Sequence, residues 1–128
     1  MLAVAPFPVG VDAEAVRDIP VADLSANVLT PREHRAVVAE PAGPARTRAF
    51  LRCWTRKEAV LKAVGIGIVT DLTGLETRSW AAGPAEVTSN ALSTPTSWWV
   101  ADAPVPEGWA AAVALPADAS RNVTVQHL

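Results

Sequence analysis

A helical pattern from Ala45 to Val64 constrains the fold of this chain more than any other feature. Gly65 follows the pattern and has the place of a C-terminal cap. Upstream, Thr30 and Pro31 have the places of an N-cap and a first helical residue, and Glu33 completes the pattern of a capping box. These signals predict one long helix and a second helix that begins at Pro31.

Strand patterns lie on both sides of these helices. Leu2 to Val11 predicts one strand or two short ones, and Asp23 to Val28 predicts a short helix. Four further strands are predicted after the long helix: Gly74–Trp80, Ala85–Asn90, Thr96–Ala101 and Trp109–Leu115. A strand, then helices, then a meander predicts an α+β fold, in which an antiparallel sheet packs against one long helix and shorter helices. We assign residues 1–120 to a single domain and predict that residues 121–128 form a mobile tail.

The composition excludes several classes of protein. The net charge of −2 leaves no broad basic surface for nucleic acid, and no apolar run is long enough to span a membrane. The single cysteine, Cys53, excludes an internal disulfide and a paired-cysteine zinc site, and we predict that it is buried. The first five residues lack the basic region of a signal peptide. We therefore expect a soluble cytoplasmic protein with no nucleic-acid or membrane partner.

The long helix carries both lysines of the chain, Lys57 and Lys62, although every other basic residue is an arginine. Arginine and lysine are not equivalent at a binding site, so two retained ammonium groups close together indicate a function. Trp54, Glu58 and Lys62 are spaced by four residues and share one helix face. An aromatic ring, a carboxylate and an ammonium on one stripe are unusual for a helix face that could be apolar core.

A second group of acidic residues lies at the end of the first strand pattern, which is apolar from Phe7 to Val11. Asp12 and Glu14 are two residues apart, so on an extended chain both point to the same side. Together with Glu58 they supply three hard oxygen donors, which suit Mg²⁺ better than zinc. Two simpler interpretations stay open: Asp12 and Glu14 form an ordinary polar strand end, and Glu58 pairs with Lys62 on a solvated helix surface.

The segment Val9–Glu14, followed by Trp54–Lys62, resembles the two signatures of the 4′-phosphopantetheinyl transferases. Those signatures are a G-V/I-D-x-E strand end and a W-S/T-x-K-E-A/S-x-x-K helix. The opening Trp54 resembles the surfactin-synthetase-activating type of this family. Three further segments resemble the family's S-x-x-E segment, its later G-x-G and its closing strand: Thr30–Glu33, Gly65–Gly67 and Gly108–Val113.

The resemblance implies that a carrier-protein serine attacks the β-phosphate of coenzyme A, so that phosphopantetheine is transferred and 3′,5′-ADP leaves. It implies that Asp12, Glu14 and Glu58 hold Mg²⁺, which neutralises charge on the pyrophosphate. Lys62 matches the catalytic lysine that binds the pyrophosphate and stabilises the leaving group, and Lys57 matches a lysine expected to contact coenzyme A phosphate. The general base stays open between Glu58, Glu14 and a metal-bound hydroxide.

The surfactin type is built from two similar halves, and this chain resembles the C-terminal half alone. By analogy we expect a homo-oligomer, a dimer or a trimer, or a complex with a partner half that completes the coenzyme A pocket. The alternative function is that of a non-catalytic half or subunit that binds coenzyme A, a carrier protein or a partner half. The sequence does not choose among carriers of fatty-acid, polyketide or peptide synthesis. Four arginines on the long helix form a solvated face or a contact for an acidic carrier protein: Arg46, Arg48, Arg52 and Arg56.

Overall fold

The structure, a computed structural model, describes residues 2–4, 7–65, 72–81, 83–88, 97–119 and 124–126. Its elements follow in this order: β1 (Leu2–Val4), β2 (Gly10–Ala15), α1 (Val21–Val28), α2 (Pro31–Ala39), α3 (Pro44–Val64), a 3-10 turn (Leu72–Gly74), β3 (Ala85–Thr88), β4 (Ser97–Asp102), β5 (Trp109–Pro116) and β6 (Thr124–Gln126). In these parts of the chain no helix is long and apolar enough to cross a membrane.

Four strands form an antiparallel sheet in the order β2-β5-β4-β3. The long helix α3 packs chiefly against β2 and β5. A core of buried side chains lies between α3 and the sheet and includes Val60, Val100 and the fully enclosed Trp98. A second apolar cluster joins α3 to α1 and α2 through Phe50 and Val37. The predicted α+β class is confirmed, with the long helix at the centre of both cores.

The starts of α2 and α3 follow from their local sequences. The Thr30 hydroxyl accepts from the Glu33 amide at 3.1 Å, and the Glu33 carboxylate accepts from the Thr30 amide at 2.8 Å, which is the predicted capping box. Helix α3 begins with Pro44 at its first position and ends before Gly65, whose φ of 110° disfavours other residues. The rest of the predicted Gly65–Gly67 segment lies outside the described residues.

Close contact between β2 and α3 depends on Gly10. A Cβ atom at this position would overlap the carbonyl oxygen of Ala59 and the amide nitrogen of Ala63. The small side chains of Ala59 and Ala63 lie one helical turn apart, so the strand and the helix backbone meet without side chains between them. This close approach sets the distance between the residues that follow Gly10 and the end of α3.

The segment Gly74–Trp80 was predicted to be a strand, and that prediction is wrong. Its backbone groups bond to helix side chains instead of to a neighbouring strand. Glu33 accepts from the Thr77 amide at 3.2 Å, and the Arg56 guanidinium donates to the Thr77 carbonyl at 2.9 Å. The positive φ of 52° at Arg78 also breaks an extended conformation.

The two ends of the chain differ from the prediction as well. The N-terminal pattern is split into β1 and β2, and β2 continues through both acidic residues to Ala15 because it pairs with the alanine-rich strand β5. Thr124–Gln126, inside the predicted mobile tail, forms β6 and pairs with β1. The other residues of that tail lie outside the described part of the chain, as do the predicted strand ends at Ser89–Asn90 and Thr96.

Candidate active site

Asp12 and Lys62 meet where β2 passes the last turns of α3. The Lys62 ammonium donates to Asp12 Oδ1 at 2.7 Å. The Asp12 side chain is 10% exposed and that of Lys62 is 53% exposed, so one partner is held in the fold and the other reaches solvent. The structure therefore brings together the strand motif and the helix motif, which are 50 residues apart in the sequence.

The second carboxylate oxygen of Asp12 has no such partner. Oδ2 is buried and receives no hydrogen bond from the described residues. Burial raises the pKa of Asp12, and the charge of Glu14 adds to this effect, whereas the hydrogen bond and charge of Lys62 oppose it. A buried carboxylate oxygen without a donor is costly in an ordinary protein interior, and a bound cation would satisfy it.

Glu58 shares this environment from the helix side. Burial is the main cause that raises its pKa, and the negative charges of Asp12 and Glu14 raise it further, while Lys62 lowers it. The three carboxylates are therefore close enough to repel one another. A divalent cation between them would relieve that repulsion and lower both pKa values.

The described residues nevertheless contain no group of three acidic, histidine or cysteine side chains arranged to hold a metal as they stand. The Glu14 carboxylate is turned to Arg17, whose guanidinium lies 3.1 Å from Glu14 Oε2. The Arg17 side chain is 54% exposed, so its ion pair is weak and exchangeable. Three carboxylates are ligands that suit Mg²⁺. To bind the metal, the Glu14 carboxylate must break its ion pair with Arg17.

Arg17 is a neighbour of the site that the sequence motifs did not single out. The sequence did contain two signals for this contact. Arg17 lies three residues after Glu14, and it follows closely after a strand that carries acidic residues.

Lys57 lies away from this group. Its side chain is fully buried, and its ammonium is 2.6 Å from Glu33 Oε1. The same ammonium donates to the backbone carbonyls of Val28 and Leu72. In this arrangement Lys57 faces α2 and has no access to a phosphate from solvent, contrary to the predicted coenzyme A contact.

The remaining residues of the helix motif divide into core and surface. Trp54 is half-buried and packs against the apolar cluster between α3 and the shorter helices. Arg56 is fully buried: it bonds to Asp102 at 2.8 Å and to the backbone around Thr77. Arg56, which was predicted to lie on an arginine face, therefore belongs to the core. Arg52 of the same predicted face forms a partly exposed ion pair with Asp102 at 3.3 Å.

Comparison with known families tests whether the chain is related to the family that its two motifs resemble. Residues 8–114 match the family described as the 4′-phosphopantetheinyl transferase superfamily. The chain belongs to this superfamily. The matched range contains Asp12, Glu14, Glu58 and Lys62, the residues that the structure gathers between β2 and α3.

A solved structure supports the same fold for this superfamily member. The chain is similar to the crystal structure of the Thermotoga maritima holo-(acyl-carrier-protein) synthase, with a TM-score of 0.59 and 18% sequence identity. The similarity covers 85% of this chain but only 62% of that protein, which is less than two thirds of its length. At this sequence identity the similarity shows a shared fold. No curated protein sequence matches the chain. The surfactin-synthetase-activating type and the relation to a C-terminal half stay predictions.

Proposed function

We propose that this protein transfers 4′-phosphopantetheine from coenzyme A to a serine of an acyl or peptidyl carrier protein, with Mg²⁺ as cofactor. The observation that carries the proposal is the buried Asp12 carboxylate, which Lys62 holds through one oxygen while the other oxygen lacks a donor. Membership of the superfamily supports the type of reaction. Cytoplasmic location stays the prediction made from the sequence.

In this proposal Asp12, Glu58 and Glu14 hold the metal ion. When bound, Mg²⁺ would supply positive charge to the pyrophosphate of coenzyme A. Lys62 would bind the same pyrophosphate, because its ammonium is half-exposed at the edge of the acidic group and can leave Asp12 for a phosphate oxygen. As the leaving group separates, the ammonium would stabilise the charge on its oxygen.

Glu58 is our candidate for the general base. The serine oxygen forms a bond to the β-phosphorus, the bond from that phosphorus to the 3′,5′-ADP oxygen breaks, and the serine proton moves to a carboxylate. Glu58 is partly buried on the side of α3 that faces Asp12, and no arginine of the described residues pairs with it. Because Arg17 pairs with Glu14, that carboxylate is the weaker candidate.

The proposal is tested by incubating the protein with coenzyme A, Mg²⁺ and apo carrier proteins of the acyl and peptidyl types. Intact-mass spectrometry should show the carrier gaining one phosphopantetheine group, and omission of Mg²⁺ should prevent the gain. A protein that binds coenzyme A or a carrier but leaves the carrier mass unchanged would support the alternative, a non-catalytic half or subunit.

We expect Lys62→Ala to reduce turnover more than Lys62→Arg does, and neither variant to unfold the protein. Arginine keeps a positive charge near the phosphates but not the compact geometry of an ammonium, and the exposed Lys62 side chain adds little to stability. Initial rates of carrier modification and thermal unfolding measure the two effects. Arg35→Ala is the matched control, because Arg35 is an exposed basic residue on α2, outside the arginine face of α3. Wild-type rates for both Lys62 variants would show that Lys62 is a surface residue.

We further propose that the working form is an oligomer or a complex with a partner half, and we favour a dimer. The described residues around Asp12 and Lys62 offer contacts for a metal and a pyrophosphate, and in this proposal another copy or a partner half holds the adenine and 3′-phosphate of coenzyme A. Size exclusion with light scattering, with and without coenzyme A, should give a species larger than one chain. A strict monomer that modifies the carrier protein would contradict this proposal.

A further inference from the structure

Among the residues that the structure describes, one ion pair has both side chains fully buried, and the proposed reaction does not use it. Glu33 on α2 and Lys57 on α3 are 2.6 Å apart, and both side chains are fully buried. A buried ion pair adds little net stability compared with an apolar pair of similar volume, because desolvation of both charges opposes their attraction. Such a pair can instead serve to fix the arrangement of the elements that it joins.

The pair joins four parts of the chain. The Lys57 ammonium donates to the Leu72 carbonyl at 2.6 Å and to the Val28 carbonyl at the end of α1. The Glu33 carboxylate accepts from the Thr30 amide at 2.8 Å and from the Thr77 amide at 3.2 Å. Since these partners lie around one face of α3, they fix how far the helix is rotated about its axis.

That rotation determines where the next residue points. Successive side chains on an α-helix are separated by about 100°, so Lys57 faces α2 while Glu58 faces the Asp12 side. On that other side, Gly10 brings β2 against the helix backbone at Ala59 and Ala63. The helix is thus held by an ion pair on one face and by a backbone contact on the other, with Glu58 between them.

We propose that the Glu33–Lys57 ion pair is a positioning device that holds Glu58 in register with Asp12. Lys57 and Glu33 are positioning residues, because both side chains are fully buried and pair with each other instead of with the carboxylates of the proposed metal site. The proposal rests on the proposed function, because it concerns the placement of the carboxylate that we assign to metal binding and proton transfer. It gives buried Lys57 a part in activity that requires no contact with coenzyme A.

The test separates positioning from stability with three variants: Glu33→Gln, Lys57→Met and the double variant. Each single variant leaves one buried charge without its partner, so both should lose thermal stability. The double variant should regain most of that stability, because glutamine can still accept from the Thr30 amide and methionine fills the volume of the lysine stem. Methionine cannot bond to Val28 or Leu72, so the helix rotation is no longer fixed.

For the double variant we expect kcat to fall about tenfold with KM for coenzyme A little changed, as misplacement of a catalytic group does. Hydrogen–deuterium exchange of the peptide covering residues 54–62 should become faster. Val87→Ala serves as the control for lost stability, because Val87 is buried on β3, the edge strand opposite to β2. This control should lower the unfolding temperature and leave kcat per folded molecule unchanged.

A double variant with wild-type kcat and wild-type exchange in residues 54–62 would overturn the proposal and show that the pair is only structural. If the double variant does not regain stability, kcat per folded molecule is compared with that of Val87→Ala, and equal values would also overturn it. If the wild-type protein modifies no carrier, the proposed function fails, whereas the exchange measurement still decides whether the pair holds the Glu58 turn.

Discussion

Replacing Asp12 with asparagine is expected to reduce carrier modification by roughly 10²- to 10³-fold, the scale seen when one preorganised electrostatic group is removed. Asparagine keeps the size of the side chain but cannot supply the negative charge on the buried Oδ2 position. It also loses the charge-assisted bond from the Lys62 ammonium. Initial rates from intact-mass spectrometry measure the loss, and calorimetry should show that Mg²⁺-dependent binding of coenzyme A disappears.

The same substitution should not destabilise the fold at neutral pH. Burial raises the pKa values of Asp12 and Glu58, so the folded state binds these protons more tightly than the unfolded state does. Without metal, the free energy of unfolding therefore falls as pH rises from the ordinary pKa values of 3.8 and 4.5 through the raised folded values, and it levels off above them. The Asp12→Asn substitution removes one of the two contributions, which makes this fall smaller.

Chemical unfolding between about pH 4 and pH 8 tests the stability effect in the absence of metal. Asp23→Asn is the control for the rate, since Asp23 is an exposed acidic residue on α1, and this variant should modify the carrier at the wild-type rate. Wild-type rates in the Asp12→Asn variant would remove Asp12 from the proposed metal site. A steeper loss of stability with pH in that variant would contradict the burial of the Asp12 charge.

The sequence predicted those features of the site that depend on local geometry. Helical spacing placed Trp54, Glu58 and Lys62 on one face. In the structure the side chains on this face range from half-buried at Trp54 to exposed at Lys62. The capping box at Thr30 and Glu33 was likewise readable, because both partners lie within one helical turn. Patterns of this range need no knowledge of the tertiary fold.

Features that depend on distant partners were missed. The burial of Arg56 and Lys57 does not follow from the helix pattern, because only the folded chain brings Asp102 and Glu33 to them. Each of these partners comes from another part of the chain, and burial of a charge is possible only where such a partner is present. Arg56 and Glu33 also explain the false strand at Gly74–Trp80, whose backbone is held by side chains of helices instead of a strand ladder.

The role of the motif glycine could also be found only from the structure. Gly10 precedes Asp12 in the strand signature, and by sequence alone it is a flexible residue at the beginning of a strand. In the fold it is required by space, because the backbone of α3 at Ala59 and Ala63 occupies the volume that a Cβ would need. The glycine thus allows the strand that carries Asp12 to pack directly against the helix that carries Lys62.

We therefore expect Gly10→Ala to cost about 3 kcal/mol or more in the free energy of unfolding, at the upper end of the range for overpacked cores. The colliding atoms belong to helix backbone, which cannot move aside as a flexible side chain can. Relief of the clash must push β2 away from α3 and so lengthen the 2.7 Å contact between Asp12 and Lys62. Chemical denaturation measures the stability, and carrier modification per folded molecule should fall together with it.

Gly74→Ala is the matched control, because a Cβ at Gly74 would meet no atom within 4 Å. The backbone there is not in the left-handed region, so alanine should be tolerated with little change in stability or rate. If Gly10→Ala were as stable and active as Gly74→Ala, the strand would have room to move without disturbing Asp12. The glycine of the motif would then have no part in placing the carboxylate, and the close approach of β2 to α3 could not be what aligns the site.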